Sequence, residues 1–467
     1  MPKRSRIHRP RLSWLHAGTR KLNIGLGLTM MLAVVIAFAG GSSRADALQL
    51  LVLRPVVIVI GFIFLWRARN SWCDVKPLPA LLGIFALTMA VQLVPLPPVI
   101  WHAIPGHARF NGVLDAFGAS AVWRPLTLSI DGTINALVAL TVPVVVLAAM
   151  AQLSPAWRSR ALFCIFAVVV VSMALGVLQT TSGSTSALYF YDTDGNDQLV
   201  GLFANRNHQA ALMAMALPLV RAWVLMPRLD ALVDVQQRSL IGLIAATVII
   251  VYVLVVGSRA GLILTGIGMI AAFLVKPDLR GVRRWSWKRW LIIGGVVAGL
   301  CAVVALVGFA DRAASVDRIS DTQTLSAEGR AEALPVLLQI ARDVWPLGTG
   351  YGSFVPVFKS YEPDAMLNPY YWNNAHNDPI EVLITGGVPG TIAIVMFLAW
   401  WGCASYRCYK KRESLQSNRI LARAAVFATL ILMLASLVDY PLRTPLLASV
   451  FTILCCWIAW GERLEKD

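Results

Sequence analysis

Charge is what this sequence has least of. Only 14% of its 467 residues are Asp, Glu, Lys or Arg, and just 25 of those are acidic. A water-soluble domain carries about 25% charged residues, so the composition excludes an ordinary soluble globular fold. Strand-length alternation of apolar and polar residues is missing too, which excludes a membrane β-barrel. There is no low-complexity tract and no evident internal repeat. Cysteines number seven: Cys164, Cys301, Cys455 and Cys456 lie in apolar blocks, and Cys73, Cys403 and Cys408 lie in or beside basic segments. None falls in a segment placed outside below, so no disulfide framework is implied.

What is abundant is apolar: 57% of residues are hydrophobic and mean hydropathy is +0.67. These residues fall in blocks of roughly 20, the length that crosses a bilayer core of about 30 Å. Lipid cannot satisfy open backbone groups, so helices must carry the spans. The fold class is therefore an all-α polytopic membrane protein with about twelve transmembrane helices. The blocks run near 23–39, 47–66, 78–94, 133–150, 160–179, 207–226, 239–256, 261–275, 290–309, 388–405, 420–438 and 445–460.

Residues 1–22 form a basic N-terminus with no acidic residue, which predicts that they stay in the cytoplasm. Alternation then gives spans one to nine over 23–309, a large outer loop over 310–378, spans ten to twelve over 379–461 and a cytoplasmic tail over 462–467. Basic residues concentrate on the inner side of this topology, as the positive-inside rule requires. The formal net charge of +16 is thus explained without a nucleic-acid partner. Of the eleven basic residues left outside, all are Arg except Lys359. The large outer loop holds an amphipathic stretch, Ala327 to Val344, and enough aromatic residues to argue for order.

Asn374-Ala375-His376-Asn377-Asp378-Pro379-Ile380-Glu381 stands directly before an apolar run. Polar clusters at such a place are costly and usually face a site, which makes His376 the candidate catalytic residue. The alternative is a helix-start histidine satisfied by the backbone. Gly257-Ser258-Arg259-Ala260-Gly261 is a tight outer turn, with Arg259 either snorkelling to headgroups or pairing with an anion. Arg330 opens the amphipathic helix, suited either to a phosphate oxygen or to a salt bridge with Glu328 or Glu332. Asn205-Arg206-Asn207-His208 caps the sixth span or binds sugar hydroxyls and phosphate at the His376 site. Asp439 and Arg443, between the last two spans, either pair with each other or line that cavity. Gly348-x-Gly350-x-Gly352 lacks the strand and Lys-Ser/Thr of a phosphate loop and reads as a turn that aims the aromatic segment after it. Asp192-x-Asp194 fails the EF-hand spacing and reads as a solvated turn, and His102 and His107 read as loop residues.

Taken together, His376 followed by Gly386, Arg330 with Leu334, and the Gly-Ser-Arg-x-Gly turn at Arg259 resemble the O-antigen ligase family, whose wider superfamily includes O-antigen polymerases and O-linked protein oligosaccharyltransferases. The resemblance implies an inverting, metal-independent glycosyltransferase of the inner membrane, with both termini cytoplasmic and its active site on the periplasmic face. It implies an undecaprenyl-diphosphate-linked glycan as donor, lipid A core or a second glycan as acceptor, and no cofactor. By the same resemblance Arg259 and Arg330 hold the diphosphate and His376 sits at the reacting centre. Asn377 and Asp378 could orient the imidazole, or Asp378 could cap the next helix. Gly201 to His208 and Tyr361-Glu362-Pro363 are similar to stretches of exopolysaccharide polymerases, which keeps that reading alongside. A transporter of lipid-linked glycans predicts repeated halves, and none is evident.

Overall fold

The computed structural model describes residues 24–67, 75–183, 185–191, 198–226, 233–277, 322–367, 372–410 and 417–463, with the side chains of 322–331, 417, 462 and 463 outside that description. In chain order the helices are α1 (Ile24–Ala39), α2 (Leu50–Arg67), α3 (Pro77–Val91), α4 (Pro98–Ala103), α5 (Asn111–Ala116), α6 (Ile130–Ala139), α7 (Thr141–Gln152), α8 (Pro155–Ser182), α9 (Arg206–Leu225), α10 (Val235–Val256), α11 (Arg259–Leu274), α12 (Thr322–Asp343), α13 (Phe354–Tyr361), α14 (Asp378–Lys410), α15 (Ser417–Ala435) and α16 (Pro445–Arg463). The only paired strands among the described residues are Pro95–Leu96 and Arg124–Pro125, antiparallel and two residues each.

Among the described residues, seven helical stretches are long and apolar enough to cross a membrane: α2, α6 with α7, α8, α9, α10, α14 and α15. Shorter apolar helices coincide with α1, α3, α11 and most of α16. The expected block at 290–309 lies outside the described residues. The outward faces explain the solvent: α2 exposes Leu51, Ile58, Val59 and Phe62, and α10 exposes Leu240, Leu243, Ile244 and Val251. Apolar surface of that extent is stable against hydrocarbon and not against water. The chain is an all-α, multi-pass membrane protein.

Helix α9 occupies the interior. It is the least apolar of the seven spans, at a hydropathy of 1.3, yet 83% of it is buried. Small residues make this possible, since a Cβ on Gly261 of α11 would lie 2.4 Å from the Cβ of Ala210. Without a hydrophobic driving force between helices, close backbone approach and polar cross-links hold a bundle together. Gln209 of α9 provides such links, accepting from Ser172 Oγ of α8 at 2.6 Å and donating to Tyr252 Oη of α10 at 3.0 Å.

Helix α14 begins ten residues before the expected span, at Asp378, and is kinked at Gly387 (φ 57°, ψ −149°). Pro389 has no N–H to give the Thr385 carbonyl. That carbonyl is satisfied instead by Gln92 Nε2 and Gly350 N, both at 2.9 Å, while Thr349 N takes the Ile384 carbonyl at 3.0 Å. The glycine-rich turn thus packs on the kink. Ala333, Leu337 and Ile340 of α12, with Val344 just after it, form a second core with Phe354 and Phe358 of α13, Ile384 of α14 and Ala375. The expected amphipathic helix is α12, and its apolar face anchors the residue that precedes His376.

Candidate functional site

Four separated segments meet at one point: the start of α9, the turn between α10 and α11, residues 372–381, and residues 436–444 between α15 and α16. At their centre is the carboxylate of Asp439, which is 2% exposed. Its Oδ2 accepts from Asn207 Nδ2 at 2.7 Å and from Asn205 Nδ2 at 3.3 Å. Its Oδ1 accepts from Tyr440 N at 3.0 Å and lies 3.3 Å from His376 Nδ1 and 3.7 Å from His208 Nε2. Burial alone raises a carboxyl's pKa. Here the imidazoles of His208 and His376 beside it outweigh burial and hold Asp439 well below the usual carboxylate range.

His376 is the only non-glycine residue with positive φ among the described residues, at 49°. For a residue with a Cβ that backbone costs on the order of 1 kcal/mol or more and persists only where the surroundings dictate it. They do so through its neighbours. Ala375 N donates to Glu381 Oε2 at 2.7 Å, Asn377 Nδ2 donates to the Leu437 carbonyl at 2.8 Å, and Asp378 N donates to the Ser436 carbonyl at 2.9 Å. Asn377 Oδ1 also accepts from Ile380 N at 3.0 Å, capping α14. The imidazole is flanked by the rings of Tyr440, 4.9 Å between centroids, and Trp372 at 5.8 Å.

Arg443 forms a separate charge system. Its Nε donates to Asp378 Oδ1 at 2.6 Å, and its Nη1 donates to Glu381 Oε1 at 2.6 Å and to Asn374 Oδ1 at 3.1 Å. Burial opposes its positive charge, but Glu381 and Asp378 more than offset this and raise its pKa. Of the two sequence alternatives, Asp439 and Arg443 therefore do not pair with each other. Arg443 clamps the loop that carries His376, and Asp378 serves that clamp while Asn377 takes the cap. The carboxylate that meets the imidazole is Asp439.

The Arg259 turn joins the same network. Gly257, in the left-handed region, ends α10, and Ser258 caps α11. Ser258 Oγ also donates to Asn207 Oδ1 at 2.8 Å, so a chain of bonds runs from the turn through Asn207 to Asp439. Arg259 itself is exposed beside it. Asn205 caps α9 through Asn207 N at 2.8 Å and also reaches Asp439, which places the segment beside His376. Arg206 opens α9, and the ring of His208 lies 5.2 Å from that of Tyr440. Arg330 lies on α12, its side chain outside the described residues. Sequence reasoning undervalued Asp439, Glu381 and Tyr440. The signal for Asp439 was its place, a carboxylate in a short link between two spans.

Residues 243–395 match the family model described as O-antigen ligase. The match covers about a third of the chain. No curated protein matches the chain. The matched stretch contains Arg259, Arg330 and His376, whereas His208, Asp439 and Arg443 lie outside it. The site is thus completed by α9 on one side of that stretch and by the α15–α16 link on the other.

Proposed function

We propose that this protein is a glycosyltransferase on the periplasmic face of the inner membrane. It moves a glycan from an undecaprenyl-diphosphate donor to an acceptor hydroxyl, on lipid A core or a similar molecule. Twelve spans with both termini in the cytoplasm complete this reading. The observation that carries it is the buried Asp439 carboxylate 3.3 Å from Nδ1 of His376, beside the turn that presents Arg259.

With Nδ1–H donated to Asp439, the lone pair of the neutral ring sits on Nε2. That nitrogen can accept the acceptor hydroxyl's proton, and the carboxylate stabilises the imidazolium that results. The acceptor oxygen attacks the anomeric carbon as the bond from that carbon to the phosphate oxygen breaks, and the anomeric centre inverts. The leaving lipid diphosphate gains negative charge, which guanidiniums of Arg259 and Arg330 stabilise as it grows. Charge stabilisation by arginine gives the reaction a route that needs no metal.

A polymerase reading differs only in its acceptor, a second lipid-linked glycan. It is favoured by the bonds from Asn205 and Asn207 to Asp439, because these residues lie in the segment that resembles exopolysaccharide polymerases. One experiment separates the readings. Parent protein and His376→Ala are purified and each given a lipid diphosphate-linked glycan, with lipid A core or with no added acceptor. Product on the core that depends on His376 supports a ligase, and longer lipid-linked glycan without core supports a polymerase. Absence of His376-dependent product in both refutes a ligase and a polymerase and favours a protein acceptor or a transporter of lipid-linked glycans.

A further inference from the structure

A second polar anomaly lies at the opposite end of the bundle. Helix α15 leads at its C-terminal end into Ser436 and Asp439; Arg419 is in its first turn, roughly 24 Å away at 1.5 Å per residue. Arg419 is only 4% exposed, and its Nε and Nη1 have no hydrogen-bond partner among the described residues. No carboxylate pairs with it among the described residues. A buried guanidinium left this way is heavily penalised, and in a native fold it signals an anion or water that belongs beside it.

The surroundings reinforce positive potential. Arg423, one turn further along the same face and 7% exposed, stacks over the Tyr409 ring at 4.8 Å and donates Nε to the Cys408 carbonyl at 3.1 Å. The first turn of α8 abuts the first turn of α15, with Ser159 Oγ 3.3 Å from Asn418 Oδ1. The N-terminal parts of two helices, whose ends carry partial positive charge, are therefore in contact next to Arg419. Arg158 of α8 is already committed, donating to the Leu153 and Ala151 carbonyls and stacking over Trp460 at 4.2 Å. Arg160 stacks on the partly exposed Trp157 at 5.1 Å, a pairing typical of headgroup level.

We infer that the corner formed by Arg419, Arg423 and the N-termini of α8 and α15 binds a phosphate group, supplied by the headgroup of an anionic phospholipid on the membrane face opposite His376. The inference is independent of the proposed reaction.

The test uses the full chain in neutral detergent. Thermal unfolding is followed with phosphatidylglycerol in the micelles, with phosphatidylcholine at the same mole fraction, and with inorganic phosphate alone. For the parent, phosphatidylglycerol raises the melting temperature at least about 2 °C more than phosphatidylcholine. Arg419→Gln loses that increment, and without anionic lipid it is as stable as the parent or more so, because the orphaned charge is gone. Arg419→Lys keeps charge and retains part of the increment. An Arg419-dependent rise with inorganic phosphate alone supports the phosphate site and assigns it a soluble source. The inference is overturned if Arg419→Gln keeps the full phosphatidylglycerol increment. It is also overturned if Arg419→Gln melts well below the parent without lipid, because Arg419 is then a structural residue satisfied within the fold.

Discussion

Replacing Asp439 by Asn preserves shape and removes the charge that the site is built around. The carboxylate receives only donors: Asn207 and Asn205 on Oδ2, and Tyr440 N with the His376 ring on Oδ1. An amide cannot accept on both sides, so its NH2 must face a donor on one of them. If it faces Asn207, relief comes from flipping the Asn207 amide, which reverses its bond with Ser258 and disturbs the Arg259 turn. If it faces His376, the ring loses the partner that fixes its tautomer. By analogy with other histidines deprived of an orienting carboxylate, turnover should fall roughly 100- to 1000-fold, about 3–4 kcal/mol of barrier. Where the amide faces His376 the Arg259 turn is untouched, and the donor KM should change by no more than about twofold. The assay is steady-state glycan transfer by purified protein, with melting temperature recorded in parallel. The parent's Asp439 contribution to stability is present above the unfolded-state carboxyl pKa and is lost as pH falls through the depressed folded value. The variant should lack that acid-side loss. Turnover within about tenfold of the parent in a folded Asp439→Asn protein would refute the positioning role.

Arg443→Gln leaves the buried carboxylate of Glu381 without its counter-charge, and unfolding in detergent should show a loss on the order of 3 kcal/mol; unchanged stability would remove the clamp from the argument. His376→Gly and His376→Ala should both be inactive, but the glycine variant should be the more stable by about 1 kcal/mol, because only alanine pays for a Cβ at φ 49°. His107, buried against Trp101, has its pKa pushed down to about 4 by burial. The unfolded chain therefore takes up a proton first, and stability should fall by up to roughly 3 kcal/mol as pH drops from about 6.5 to about 4; His107→Phe should flatten that slope in a pH series of melting curves. Arg330→Lys keeps charge but loses the guanidinium fork, and transfer assays should show at least a tenfold loss of turnover.

The apolar blocks were legible because bilayer length and backbone satisfaction leave helices few alternatives, and the amphipathic stretch before Val344 was legible from its period. Legibility stopped where distant groups repair a local break. Gly386-Gly387-Val388-Pro389 carries the usual signals of a helix end, yet α14 runs through it because Gln92, Thr349 and Gly350 satisfy the carbonyls the kink frees. Nothing local in the sequence predicts that. The positive φ of His376 is hidden for the same reason, since it is imposed by Glu381, Ser436 and Leu437 and histidine is not a residue that announces it. Asp439 was visible as a carboxylate in a link between spans, but its partners come from the start of α9 and from the loop before α14, and pattern reading does not reach across such distances.

The division of charge between Asp439 and Arg443 explains why both are needed so close together. Had Arg443 paired with Asp439, the carboxylate would have been neutralised by a permanent cation, and in the proposed reaction His376 would have lost the partner that stabilises its transient charge. Sending Arg443 to Asp378 and Glu381 instead keeps Asp439 available, and it also secures the strained loop from below. The cost of burying Asp439 is met by Asn205, Asn207 and the Tyr440 backbone, which are neutral donors and do not compete with imidazole for the proton. Arg259 is then left outside both networks, exposed beside Ser258 and available to an anionic ligand. A site built only for stability would have placed the nearest guanidinium on the buried carboxylate; this one holds it a few residues away and gives the carboxylate to a histidine.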